Sequence, residues 1–329
     1  MAGASDPEQV RRFAEGLTRL WPASPGGRGG RGPAVRLGIA VSGGPDSLAL
    51  LLLAAAALPG HVAAATVDHG LRPGSADEAA FVGTVCAGLG VKHSVLTVRV
   101  GEGNLQSEAR AARYAALAQW AADAGVGALA TAHHADDQAE TLLARLNRGS
   151  GVAGLAGVRA AGRVPGGDLL LLRPVLDWRR AELAAVVAAA GLTPVDDPSN
   201  ADDRFDRARL RKALRQADWL DVQAIAKAAL HLAEADAALD WATAREWREG
   251  VSPGPLGSFV YRPQAPRAIA LRVIALLVER LDGEAPRGSA VARVFDGLIA
   301  GQPASIGALV ARPTPEGWTF ATAPARRAS

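Results

Sequence analysis

The sequence predicts an α/β fold, an open, mostly parallel sheet with helices on both faces, followed by a smaller, mainly helical domain. Three observations carry this. Apolar runs of strand length alternate with Ala- and Leu-rich stretches of high helix propensity between residues 35 and 172. Polar clusters stand where three of those runs end, at 42–47, 68–69 and 133–134, and ligands of open parallel sheets bind at the carboxyl ends of the strands. From about residue 218 the composition shifts to long helical patterns over 221–249, 266–281 and 289–300.

Taken in order, residues 6–20 read as an amphipathic helix with Val10, Phe13, Leu17 and Leu20 on one face. Residues 22–33 (PASPGGRGGRGP) read as a flexible connector. A first strand over 35–41 runs into SGGPDS, a turn, and then a Leu/Ala-rich helix. Further strands are expected at 62–67, 92–98, 128–132 and 169–172, with helices at 77–89, 105–124 and 136–146 between them. Beyond 218, Trp219, Trp241 and Trp247 read as core or interface anchors, and 306–310 with 318–321 as a terminal hairpin. The domains expected are an N-terminal helix and connector over 1–33, a catalytic domain over 34–217, and a small domain over 218–329.

The bulk composition excludes several classes. With 49% hydrophobic and 21% charged residues in 329, the chain is an ordinary globular protein long enough for two domains. The apolar run 48–58 is too short to span a bilayer, which needs about 20 residues, and the acidic and basic N-terminus lacks an apolar signal core. No membrane association and a cytoplasmic location are expected. Cys86 is the only cysteine, which excludes an intrachain disulfide or a cysteine metal cluster and fits a buried thiol. The sequence leaves a homodimer open.

A strand, a tight glycine loop and a helix N-terminus aim backbone amides at one point, a ready phosphate site. Gly43 and Gly44 let the backbone approach an anion, Pro45 sits where a first-turn N–H is not needed, and Ser42 and Ser47 offer hydroxyls. Asp46 brings negative charge to that site, which a bridging Mg²⁺ would reconcile. The spacing is not that of a Walker loop, since no lysine precedes Ser47. The second cluster, TAHHADDQAETLLARLNRGSG over 131–151, puts Asp136, Asp137 and Glu140 at the start of a helix, where carboxylates suit the dipole. It also reads as a capped, solvated helix start. The third cluster, RFDRARLRKALR, carries six basic residues in 12 against Asp206 alone. Arg204, Arg207, Arg211 and Arg215 recur at three- and four-residue steps, so they read as one face and a phosphate track for a nucleic acid.

SGGPDS resembles the SGGxDS loop of the N-type ATP pyrophosphatases, which cut ATP between the α and β phosphates. The run HHADDQAET…RGSG, with VDHGLRPGSADEA (67–79), LRPVLDWRRAEL (172–183) and DDPSNADDRFDRARLR (196–211), closely resembles the tRNA(Ile)-lysidine synthetases, in that family's order and in its short form. The resemblance implies an adenine nucleotide alpha hydrolase-like catalytic domain. It implies a ligase that joins L-lysine to the 2-position of the wobble cytidine of tRNA(Ile) with a CAU anticodon. ATP would adenylate the cytidine, releasing pyrophosphate, and lysine would then displace AMP. It further implies that Ser42, Gly43, Gly44, Pro45, Asp46, Ser47, Asp68 and His69 bind ATP. Asp46, with Mg²⁺, His133 and Arg113 would act at the phosphates. Asp137, Glu140, Asp136 and Arg110 would bind lysine, Asp197 standing further back, and Arg204, Arg207, Arg211 and Arg215 would bind tRNA.

Three other readings compete. A tRNA thiolase of the same superfamily carries sulfur on cysteines, and Cys86 inside an apolar helix does not suit that. A metal-dependent phosphoesterase could use Asp68, His69, His133 and His134 as ligands. A plain nucleotide-binding module has no need of HHADDQAET or the arginine stripe.

Overall fold

The computed structural model describes residues 6–22, 24, 35–68, 74–98, 105–195 and 206–323, with 105–107, 206–208 and 215 by backbone alone. The chain divides into two compact units, Met1–Ala233 and Glu234–Ser329.

The first unit contains α1 (Pro7–Leu20), β1 (Arg36–Ala40), α2 (Pro45–Ala57), β2 (Val62–Asp68), α3 (Ser75–Gly88), β3 (Lys92–Thr97) and α4 (Leu105–Asp123). It continues through β4 (Val126–Ala130), α5 (Ala135–Leu146), α6 (Val152–Leu155), β5 (Ala161–Arg163), β6 (Leu170–Leu172), α7 (Arg180–Ala189) and α8 (Asp206–Gln216). Its sheet runs β3-β2-β1-β4-β6-β5. All neighbours pair in parallel except β5, which closes the edge antiparallel to β6. The three residues of β5, Ala-Gly-Arg, carry no strand pattern, and their pairing comes from β6.

The chain moves outward from β1 to β3, then returns to the other side of β1 as β4. The order therefore reverses between β1 and β4, the place where open α/β sheets form a ligand crevice. Leu37 and Ile39 of β1 point into a core with Leu48, Leu51 and Leu53 of α2, Val82 and Cys86 of α3, Phe13 and Leu17 of α1, and Leu183 of α7. Gly38 faces the other way, against α4. A Cβ there would stand 2.8 Å from Val126 Cγ1 and 2.9 Å from Trp120 Cζ3, so the large indole requires a strand residue with no side chain.

α1 belongs to this core, because its amphipathic stripe needs an apolar partner to be stable in water. Asp6 caps it by accepting from the Glu8 N–H at 3.0 Å. Arg12 lies 4.3 Å over the Trp178 ring and donates to Glu182 at 2.6 Å. Glu182 in turn accepts from the Arg179 N–H at 2.7 Å, capping α7. The Arg179 guanidinium and the Arg180 N–H close on Asp136 at 3.2, 3.2 and 2.9 Å. A chain of charge-assisted bonds thus ties α1, α7 and α5 together.

The second unit holds the end of α9 (Val222–Gly250), which crosses the boundary, then β7 (Val251–Pro253), β8 (Phe259–Tyr261), α10 (Arg267–Asp282), α11 (Gly288–Ile299), β9 (Ala304–Ile306), β10 (Leu309–Thr314) and β11 (Gly317–Thr322). The expected hairpin is β10 with β11, but it belongs to a five-stranded antiparallel sheet, β7-β8-β11-β10-β9. This unit is therefore α+β rather than mainly helical; the strands of three residues are too short to show an alternating pattern. Its core joins Ile274, Leu277 and Val294 to Leu309, Trp318 and Phe320. Trp247 packs against Phe259, with ring centroids 6.0 Å apart. Trp219 and Trp241 are 80% and 66% exposed and anchor no core.

Two outcomes follow from this packing. Burial pushes the Cys86 thiol up to about 11, so a thiol reagent at about pH 8 should leave the native protein unlabelled and react only on unfolding. For Asp136, burial alone would raise the pKa. The Arg179 bonds and the Arg180 N–H outweigh it and hold the carboxyl below its ordinary range. A depressed carboxylate contributes stability above its unfolded pKa and loses it as pH falls through the folded value. Asp136→Asn should therefore lower stability at neutral pH by about 1–3 kcal/mol, and the gap should close in acid. Melting curves at descending pH check this; a gap that persists in acid would mean shape matters, not charge.

Candidate active site

A cavity of about 910 Å³ opens at the carboxyl ends of the parallel strands. The turn between β1 and α2 forms its floor. Gly43 adopts φ +82°, a conformation L side chains rarely take. Its carbonyl accepts from the Val195 N–H at 3.0 Å, and a Cβ would crowd Val195 at 3.2 Å. Ser47, nearly buried, ties the turn from inside: its Oγ accepts from the Ser42 N–H at 3.1 Å and donates to the Gly44 carbonyl at 3.0 Å. Pro45 opens α2 at a position where no N–H is needed.

Sequence-expected residues meet around this floor. Ser42, Gly44, Pro45, Asp46, Ser47 and Asp68 line the cavity. His133, with Nδ1 3.0 Å from Thr131 Oγ1, stands at the end of β4, and Asp137 comes from the first turn of α5. Arg110 and Arg113 of α4 line a wall, both exposed, and neither forms an ion pair among the described residues. Glu108 does not hold them, and the Arg110 guanidinium lies 5.1 Å over the Tyr114 ring. Behind them Arg173 is buried at the end of β6. Desolvation lowers its pKa, Tyr114 raises it and Arg110 lowers it further. His69, Asp197 and Arg204 lie outside the described residues, as do the side chains of Arg207 and Arg215.

Asp46 shows an unusual state. Its Oδ1 is buried without a hydrogen-bond partner. An unpaired buried carboxylate oxygen is costly, and on a phosphate-type loop it has the donor chemistry of a cation ligand. No group of three or more His, Cys, Asp or Glu among the described residues could hold a metal alone, so phosphate oxygens would have to supply the rest of the shell.

Four placements differ from the sequence reading or were missed by it. His134, named from sequence only as a ligand in the phosphoesterase reading, is the buried cap of α5. Its N–H donates to Asp137 Oδ2 at 3.1 Å, and its Nδ1 lies 3.4 Å from the Asp137 N–H. Nε2 stands 3.5 Å from Asp46 Oδ2 and 3.6 Å from Asp137 Oδ2. Burial lowers the His134 pKa, but the Asp46 hydrogen bond and the charges of Asp137, Asp46 and Asp136 outweigh it and raise it. The three-residue spacing to Asp137 is a capping-box spacing, which was the available signal. Asp136 turns away to the α7 ties and does not line the cavity. Glu140 is buried at 3% exposure and bound in a fork by Arg211, Nε–Oε1 2.8 Å and Nη2–Oε2 3.2 Å. Arg211 accordingly faces the cavity rather than an outward stripe; Arg209 of α8 is exposed instead.

Comparison with known proteins places this geometry. A family model for the PP-loop domain matches residues 28–218. The tRNA(Ile)-lysidine synthase of Novosphingobium aromaticivorans is 48% identical over 298 residues, 90% of this chain and 91% of that protein. That of Zymomonas mobilis is 43% identical over 299 residues, 89% and 90% of the two chains. Among solved structures, a U34-tRNA thiolase from Methanococcus maripaludis superposes with a TM-score of 0.53 over 68% of this chain and 77% of that one, at 15% identity, which reports a shared fold. No described helix is long and apolar enough to cross a membrane. With the model covering most of the first unit and relatives matched nearly end to end, the chain belongs to the tRNA(Ile)-lysidine synthase family of PP-loop proteins.

Proposed function

We propose that this chain joins L-lysine to the wobble cytidine of tRNA(Ile) carrying a CAU anticodon, at the expense of ATP. The observation that carries the reading is the convergence of Asp46, His133 and Asp137, from two adjacent strand ends, on one cavity floored by the glycine turn. The 2-oxygen of the cytosine bonds to the α-phosphorus while the bond to the bridging oxygen breaks, and pyrophosphate leaves with the electron pair. The neutral ε-amine of lysine then bonds to carbon 2, the carbon–oxygen bond breaks, and AMP departs. One amine proton is shed as the new bond forms.

Each part has residues suited to it. Amides of the turn and the start of α2 cradle phosphate. Asp46, whose Oδ1 is buried without a partner, would hold Mg²⁺, and the ion would supply charge neutralisation at the leaving pyrophosphate. Arg113 and His133 line the same cavity and suit the phosphates. Asp137 gives Oδ2 to the His134 N–H and leaves Oδ1 without a protein partner among the described residues, so it meets the lysine amine and takes the shed proton. Arg110 suits the lysine carboxylate. Arg209 and Lys212, exposed on α8, and the second unit offer contacts for the tRNA. A thiolase reading is not favoured, since Cys86 is buried against α2 and far from thiolate chemistry.

Asp46→Ala should reduce ATP-dependent pyrophosphate release at least about 100-fold, while the melting temperature without nucleotide hardly moves, because the lost contact to His134 is offset by removal of an unpaired buried oxygen. Near-normal turnover would contradict the cation role. Asp137→Asn should raise the KM for lysine at least about tenfold and leave the KM for ATP nearly unchanged. Equal weakening of both substrates would reduce Asp137 to a helix cap.

A further inference from the structure

Glu140 and Arg211 lie 71 positions apart and bind each other in a fork. The Glu140 side chain is 4% exposed and that of Arg211 is 21% exposed. A carboxylate so buried must be paired, and the pairing commits both oxygens to the guanidinium. Glu140 is also absent from the cavity lining, where Arg211 stands instead, so it is not placed to meet the amine of a substrate. Arg211, by contrast, uses Nε and Nη2 on Glu140 and keeps Nη1 without a partner among the described residues. It lines the cavity that the glycine turn floors. The carboxylates of Asp137 and Asp46 are near enough to strengthen its charge, after the Glu140 hydrogen bond itself.

We infer that Arg211 is a catalytic residue of the adenylation step, presenting Nη1 to the α-phosphate oxygens, and that Glu140 is the positioning residue that aims it. The inference rests on adenylation being this chain's chemistry. In that step negative charge builds on the α-phosphoryl group as the cytosine oxygen arrives and pyrophosphate leaves. A guanidinium serves best there when its orientation is fixed beforehand, since no reorganisation is then needed as charge develops. Packing sets the aim: Glu140 sits one turn below Asp137 on α5, and the fork fixes two of the three guanidinium nitrogens. The planar fork also suits a phosphoryl group, where lysine would offer only a point charge. Arg110 and Arg113 lack any such anchor. The cavity also holds Asp46 and Asp137, so a tetra-anionic nucleotide needs a fixed cation on this side.

The test separates adenylation from lysine addition. Transfer of labelled AMP from ATP to tRNA is measured in single turnover with lysine omitted, for wild type, Arg211→Lys, Arg211→Met, Glu140→Gln and the double variant Glu140→Gln/Arg211→Met. Arg211→Lys should slow adenylation about 100-fold with the KM for lysine unchanged. Glu140→Gln should slow it in the same way by a smaller factor. The double variant should be no slower than Arg211→Met, because the acid acts only through the arginine, and it also avoids leaving Glu140 buried and unpaired. Normal adenylation with a raised KM for lysine in Glu140→Gln would overturn the inference in favour of direct lysine binding. Normal adenylation with weaker tRNA binding and a shallower salt dependence in Arg211→Lys would overturn it in favour of a phosphate track. Additive effects in the double variant would overturn the positioning role. A wild-type chain that forms no adenylate would instead sink the proposed function, and this inference with it.

Discussion

The Ser47 hydroxyl folds back on the turn it terminates, taking the Ser42 N–H and giving its proton to the Gly44 carbonyl. That small clamp sets where the start of α2 points, and with it the direction of Asp46. Val195 holds the same turn from outside through Gly43. A phosphate cradle of backbone amides is useful only if its geometry exists before the anion arrives, because ordering a loop on binding costs conformational entropy. Here the clamp is one side chain, Ser47, buried in the first turn of α2 beside that helix's apolar residues, so the apolar core and the polar site share one cause.

The reversal of strand order between β1 and β4 supplies the second half of the site. Two motifs more than eighty residues apart in the chain leave neighbouring strands and face each other across the crevice. His134 spans the gap. Its extended backbone, φ −130° and ψ 179°, caps α5 four residues beyond the end of β4, and its ring stands between Asp46 and Asp137. Adjacent side chains of extended backbone point to opposite sides, so His134 goes into the protein and His133 to the cavity.

Sequence pattern revealed the parts whose chemistry demands particular residue types. A turn of two glycines, proline and aspartate between an apolar strand and an apolar helix has few other uses, and its position at a strand end could be read directly. What could not be read was the partner of each charge. Helical spacing says that Arg207 and Arg211 share a face, and it is silent on what that face meets. Only the fold brings Glu140 to Arg211 and Arg179 to Asp136. The same limit explains the second unit, where strands such as Ala304–Ile306 are defined by their neighbours, and where Trp241 sits on the outer face of α9 although its composition suggested a core anchor.

The most direct measurement follows label from ATP carrying ³²P at the α position, added to the wild-type chain with tRNA(Ile) bearing the CAU anticodon. Without lysine, label should become attached to the tRNA while unlabelled pyrophosphate is released. Adding lysine should then free the label as AMP in amounts equal to the lysine joined to the tRNA. Label that never reaches the tRNA, or AMP released without joining of lysine, would contradict a two-step ligation in this cavity.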